Sequence, residues 1–156
     1  MIVHPLLAQA RFQQGIRALL ECPESLEKIG VRFVSYAYPV LIVALEWRAF
    51  NRWIRLHVDA NDYDYRPLSG WWVDDADKPL LPGHGIVPAG LGFQPSGPPC
   101  GSPRSWFCFP GWKDWHDHSG HQDVAWPVHR AEPRFGALAL IQQLHSDLNR
   151  TGVNPV

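Results

Sequence analysis

Hydrophobic positions along the chain first recur at helical spacing, then gather into short runs, and return to helical spacing near the end. Between Leu6 and Glu21, Phe12, Ile16, Leu19 and Leu20 form a stripe, while Arg11, Gln13, Gln14 and Arg17 take the other faces. That pattern predicts an amphipathic N-terminal helix. Pro5 suits its first turn, and Pro23 stops it just beyond Glu21. Glu24 to Gly30 reads as a short connector. Val31–Val34, Val40–Leu45 and Trp53–Val58 are then rich in β-branched and aromatic residues, as strands are. Arg52, Arg55 and His57 interrupt apolar neighbours there, which fits strands with one buried face. Asn51 and Arg52 occupy a turn position, so an antiparallel meander is the simplest connection. After turn-forming residues from Asp59 to Gly70, Trp71-Trp72-Val73 predicts one further strand, completing a four-stranded meander.

The stretch from Pro79 to Gly111 holds too many prolines and glycines for regular elements. A loop of this length inside a compact domain is commonly functional or mobile, and it leads directly into an aromatic-rich block that must pack. Leu138, Ile141, Leu144 and Leu148 then line one face of a closing helix, with Pro133 near its start and Gly152 beyond its end. Helix, antiparallel meander, long irregular segment, helix: the expected class is α+β. A length of 156 residues suits a single domain spanning 1–156.

Composition narrows the functional classes. A hydrophobic content of 46% builds a core without disulfide staples. The formal charge of −1 supplies no basic field, so no nucleic-acid partner is expected. The longest apolar run, Tyr36 to Leu45, is broken by Pro39 and falls short of the roughly 18–20 residues of a membrane span. No membrane partner is expected either. The N-terminus lacks the basic start and cleavage site of a signal peptide. Three cysteines, an odd number without even spacing, suit a reducing compartment. Cytoplasmic localisation is the expectation.

The chemistry-bearing residues crowd between Cys100 and Arg130. Thiolate is the reactive form of cysteine, and an adjacent imidazole favours it. Cys108 is followed closely by His116, His118 and His121, so an imidazole neighbour is available and Cys108 is a candidate nucleophile. Asp114, Asp117 and Asp123 are candidates to orient the imidazoles. A buried, inert thiol is the plain alternative, since free cysteine is among the most buried residue types. A second chemical reading is zinc, which takes thiolate and imidazole ligands in tetrahedral geometry. In an extended segment His116 and His118 project to one side; His121 then returns across Ser119-Gly120, with Cys100 or Cys108 completing the set. The spacing matches no paired Cys-x-x-Cys template, and a loop of locally hydrogen-bonded Asp and His is an equal alternative. Walker, dinucleotide, Gly-x-Ser-x-Gly and His-Glu-x-x-His patterns are absent.

Particular residues resemble the ubiquitin-conjugating (E2) family. The passage from Ile54 to Pro67, through Tyr63 and Tyr65, is similar to that family's strand leading into a tyrosine-proline turn. Cys108-Phe109 followed by Trp115 resembles its active-site cysteine, apolar neighbour and tryptophan. The closing Leu138–Leu148 helix with Asn154-Pro155 beyond it also looks like the family's post-active-site helix. The family's His-Pro-Asn motif is missing, and no asparagine occurs between Asn61 and Asn149. These departures place the resemblance nearest the divergent E2-like proteins of bacterial ubiquitin-like operons.

The resemblance implies a UBC-like fold and a transferase that carries a ubiquitin-like protein as a Cys108 thioester, received from an E1-type activating enzyme and passed to an amine. His116 or His118 then replaces the absent amide as base or oxyanion donor, oriented by Asp114 or Asp117, and no cofactor is needed. The alternative is a zinc-binding, non-catalytic accessory or adaptor protein of the same systems, with Cys100, Cys108, His116, His118 and His121 as the metal ligands.

Overall fold

The structure is a computed structural model, and it describes residues 3–121 and 125–156. The expected N-terminal helix is divided into α1 (Pro5–Gly15) and α2 (Arg17–Glu21), broken at Ile16, whose φ of −115° leaves the helical region. Gly15 sits at the break, where a Cβ would lie 3.1 Å from that of Ala137, so the chain crosses the C-terminal helix at close range. The expected connector is itself helical: α3 (Pro23–Lys28) takes Pro23 as its first residue. Proline at that position starts a helix as well as ending the previous one, because the missing N–H has no intrahelical partner there.

The meander forms as β1 (Val31–Ala37), β2 (Val40–Trp47), β3 (Arg52–Asp59) and β4 (Ser69–Val73), antiparallel and in sequential order. Register follows the alternation. Leu41 pairs with Val58, Val43 with Leu56 and Leu45 with Ile54, and all six are buried on the inner face. On β3 the intervening residues Trp53, Arg55 and His57 are only partly buried, and the Arg32 guanidinium lies 3.9 Å over the Trp53 ring. The inner face packs on Phe12, Leu19 and Leu26 from the three N-terminal helices and on Ile141, Leu144 and Leu148 from the C-terminal helix, in one continuous core.

Beyond β4 the chain is irregular, as its glycines and prolines require, yet it is packed. Two short antiparallel pairs hold it: β5 (Pro88–Ala89) with the terminal β8 (Asn154–Pro155), and β6 (Phe93–Gln94) with β7 (Trp106–Phe107). The Ser105 hydroxyl accepts the Trp72 N–H at 3.0 Å and so closes part of the edge of β4. Phe107 enters a cage of rings, 5.2 Å from Trp72, 5.9 Å from Phe93 and 5.1 Å from Trp112, each edge-on. Gly70 makes room for it: a Cβ there would lie 2.7 Å from the Trp112 ring and 3.0 Å from that of Phe107.

The remaining helices are α4 (Lys113–Asp117), α5 (Trp126–His129) and α6 (Ala137–Leu148). The first residue of α4 is tied to the segment before β4 by the Lys113 N–H, which donates to Leu68 O at 2.7 Å. Among the described residues no helix is long and apolar enough to cross a membrane.

Phe107 joins the irregular segment to the sheet. Phe107→Ala is expected to cost about 3–5 kcal/mol of unfolding free energy, the usual range for emptying a buried aromatic site. Urea denaturation measures it; a loss below about 1 kcal/mol, ordinary for a surface change, would contradict the caged position.

Candidate functional site

Cys108 follows β7 directly. Its N–H donates to Gly92 O at 2.8 Å, continuing the β6–β7 pairing by one bond. Phe107 on one side is locked in its cage, and Phe109 on the other lies 5.2 Å from Phe93 and covers Gly92. The sulfur is thus held between two anchored aromatic residues and is half-buried. The N–H of Cys108 is committed to Gly92 and is not available as an oxyanion donor.

The side chain that meets the sulfur is His121, with Nε2 3.4 Å from Cys108 Sγ. The expected partners were His116 and His118, and neither takes this place. The reason is local: 113–117 is a helical turn, so His116 and His118 do not share a side as they would in an extended segment. His116 Nε2 accepts the Gly111 N–H at 3.1 Å, which turns its ring toward the Pro110-Gly111 bend. The ring lies 5.6 Å from Trp126 and 5.7 Å from His129. His118 follows the helix, and its Nδ1 accepts the Gly120 N–H at 3.3 Å. A single turn of 3-10 helix at 119–121 then swings His121 back over Cys108.

Four rings follow one another across this turn, two stacked pairs joined by a tilted contact. Trp106 lies 5.7 Å from His118, His118 lies 5.2 Å from His121, and His121 lies 4.5 Å from Trp115 with only 10° between the last two planes.

Asp114 does not orient an imidazole. It is buried and paired with Arg104, whose Nη1 and Nη2 donate to its two carboxylate oxygens at 3.0 and 3.3 Å. Arg104 also donates to Ser105 O at 2.9 Å and lies 4.5 Å over the Trp71 ring. This bidentate pair fastens the loop before β7 to α4, so both flanks of Cys108 share one anchor. Asp117 pairs with Lys113 on its own helix. Asp123 lies outside the described residues.

Cys100 is exposed, and the Arg104 guanidinium donates to its sulfur at 3.5 Å. The three cysteines are free thiols. Cys100 and Cys108 stand in opposite environments. Burial raises the Cys100 thiol pKa, but hydrogen bonds from Ser102 and the Arg104 charge outweigh both that and the nearby Asp114, leaving it below the ordinary value. Burial alone pushes the Cys108 thiol up.

The five residues expected as zinc ligands are engaged separately: Cys108 with His121, His116 with Gly111, His118 with Gly120 and Cys100 with Arg104. Among the described residues no group of three or more His, Cys, Asp or Glu side chains is placed to hold a metal ion. What the site offers is a thiol hydrogen-bonded to an imidazole on a rigid aromatic base, the arrangement by which a general base activates a nucleophile.

Sequence spacing did not single out His121 as the partner of Cys108, nor Arg104 as an anchor. Both depend on a helical turn and on a contact across ten positions that local pattern does not encode. No protein-family model matches the chain, and no curated protein matches it.

Thiolate being the reactive form, the two shifts fix an order of reactivity. At neutral pH iodoacetamide is expected to label Cys100 before Cys108, and Cys108 labelling should climb into a more alkaline range. Peptide-resolved mass spectrometry reads both rates in one sample. Cys108 labelled ahead of Cys100 at neutral pH would contradict the buried thiol.

Proposed function

We propose that the chain is an E2-like transferase in which Cys108 carries the C-terminus of a ubiquitin-like protein as a thioester. The observation that carries this reading is the 3.4 Å contact between Cys108 Sγ and His121 Nε2. The helix-first α+β order, the four-stranded meander and the irregular segment ending at Cys108 support it as well, being the order that the E2 resemblance implies.

In the first step the proton on Cys108 Sγ passes to His121 Nε2 while the sulfur attacks the carbonyl of the modifier's thioester on an E1-type activating enzyme. The Sγ–C bond forms, the old C–S bond breaks, and the proton on His121 goes to the departing thiolate. An amine then takes the acyl group, forming an amide and releasing the Cys108 thiol. Because burial disfavours a free thiolate here, the imidazole must act as general base during the attack, an effect worth about 10²–10⁴ in rate. His118 is the remaining candidate donor to the oxyanion: with Nδ1 accepting from Gly120, its ring proton resides on Nε2. His116 and Asp114 serve the site from behind, one holding the Gly111 bend and the other holding Arg104.

The test pairs the protein with an activating enzyme and ubiquitin-like protein of a bacterial ubiquitin-like operon, read on a non-reducing gel. The expected result is an adduct that depends on the activating enzyme, is released by thiol reductant, and is lost in Cys108→Ala but kept in Cys100→Ala. A thiol-sensitive adduct that persists in Cys108→Ser would overturn the assignment.

A further inference from the structure

We propose that Trp115 is a positioning residue for the thiol–imidazole pair: its indole face holds His121 on the Cys108 sulfur and stabilises the imidazolium formed when the sulfur's proton moves there. The inference rests on the Cys108–His121 reading above and extends it to what makes His121 an effective base.

Three observations carry it. The first is the geometry of the stack, 4.5 Å between ring centroids with an interplanar angle of 10°. A cation over the face of an indole is attracted by its electron-rich π system, and tryptophan is the best of the aromatic residues at this. Such a face attracts an imidazolium formed transiently on the neighbouring ring as the sulfur gives up its proton. The second is that Trp115 is itself fixed. It is half-buried in α4, a helix held by the Lys113 N–H bond to Leu68 O and by the Arg104–Asp114 pair. His116 and His129 meet its ring edge-on at 4.8 and 6.4 Å. The third is the set of groups around His121. Among the described residues its ring meets the Cys108 thiol, the His118 imidazole and Trp115. The carboxylates of α4 are engaged elsewhere, Asp114 by Arg104 and Asp117 by Lys113. Among the described residues, then, it is the indole face, not a carboxylate, that packs on the His121 ring.

The experiment follows alkylation of Cys108 by iodoacetamide in the full chain, with Cys100 in the same digest as an internal control. In this step the Sγ–C bond forms, the C–I bond breaks and iodide leaves, and the thiol proton passes through His121 to solvent. Trp115→Leu is expected to slow Cys108 alkylation about two- to fivefold at neutral pH, the range that a partly exposed cation–π contact supplies. The alkaline limb, where the sulfur loses its proton directly to solvent, should keep the parent rate, as should Cys100. Trp115→Phe is expected to recover most of the neutral-pH rate. In a His121→Gln background Trp115→Leu should add nothing.

Equal slowing at neutral and alkaline pH would overturn the proposal, as would equal losses in the Leu and Phe variants or an undiminished effect of Trp115→Leu in the His121→Gln background. A parental neutral-pH rate in His121→Gln alone would remove the thiol–imidazole pair and this proposal with it. Failure of the chain to accept a ubiquitin-like modifier would sink the transferase reading and leave these rates untouched.

Discussion

The burial of Phe107 among Trp72, Phe93 and Trp112 is the constraint from which the site is built. Aromatic rings in edge-on contact define one another's positions more tightly than aliphatic side chains do. The cage fixes β7 against β4, and β7 is only two residues long. Cys108 comes next in the chain, so the position of its sulfur is set by the residue before it and by the bond from its N–H to Gly92 O. Gly70 is part of the same arrangement, because any side chain there would push Phe107 and Trp112 outward.

A second constraint acts from the other side. The Arg104–Asp114 pair is buried, with side-chain exposures of 9% and 4%, and it joins the loop before β7 to the helix after the Pro110-Gly111 bend. Taking two charges out of water is costly, and such a pair adds little net stability compared with apolar packing. Its contribution is geometric: stranding either partner costs about 3–5 kcal/mol, so the loop and α4 cannot separate independently. The aromatic cage and the ion pair together hold a half-buried thiol, its pKa raised by burial, 3.4 Å from an imidazole nitrogen. Against the rise that burial gives, hydrogen bonds from Ser102 and then the Arg104 charge lower the thiol pKa of Cys100, so two cysteines eight positions apart in sequence have opposite tendencies.

Much of the scaffold was legible in the residues. The run Trp53–Val58, interrupted by Arg55 and His57, predicted β3 with one buried face, and the Leu138–Leu148 stripe predicted the heart of α6. The helix break at Ile16 was not legible, because it answers to the close approach of Ala137, more than a hundred positions away. The site was legible only in outline. The crowding of Cys, His and Trp between Cys100 and Arg130 picked out the candidate segment, but not the pairing within it. Reading 116–118 as extended brought His116 and His118 to one side; the helical turn separates them and returns His121 instead. Asp114 looked like a partner for a neighbouring histidine because sequence shows neighbours, whereas its partner Arg104 arrives across the β7 segment.

The proposed transferase depends on proton transfer from Cys108 to His121 during acyl transfer. The most direct measurement is the rate at which His121→Gln accepts a ubiquitin-like modifier from its activating enzyme at neutral pH, compared with the parent chain. The account predicts a loss of about 10²-fold or more, the lower bound for removing a general base, with Cys108 still the site of the adduct. Charging of His121→Gln at the parent rate would contradict it.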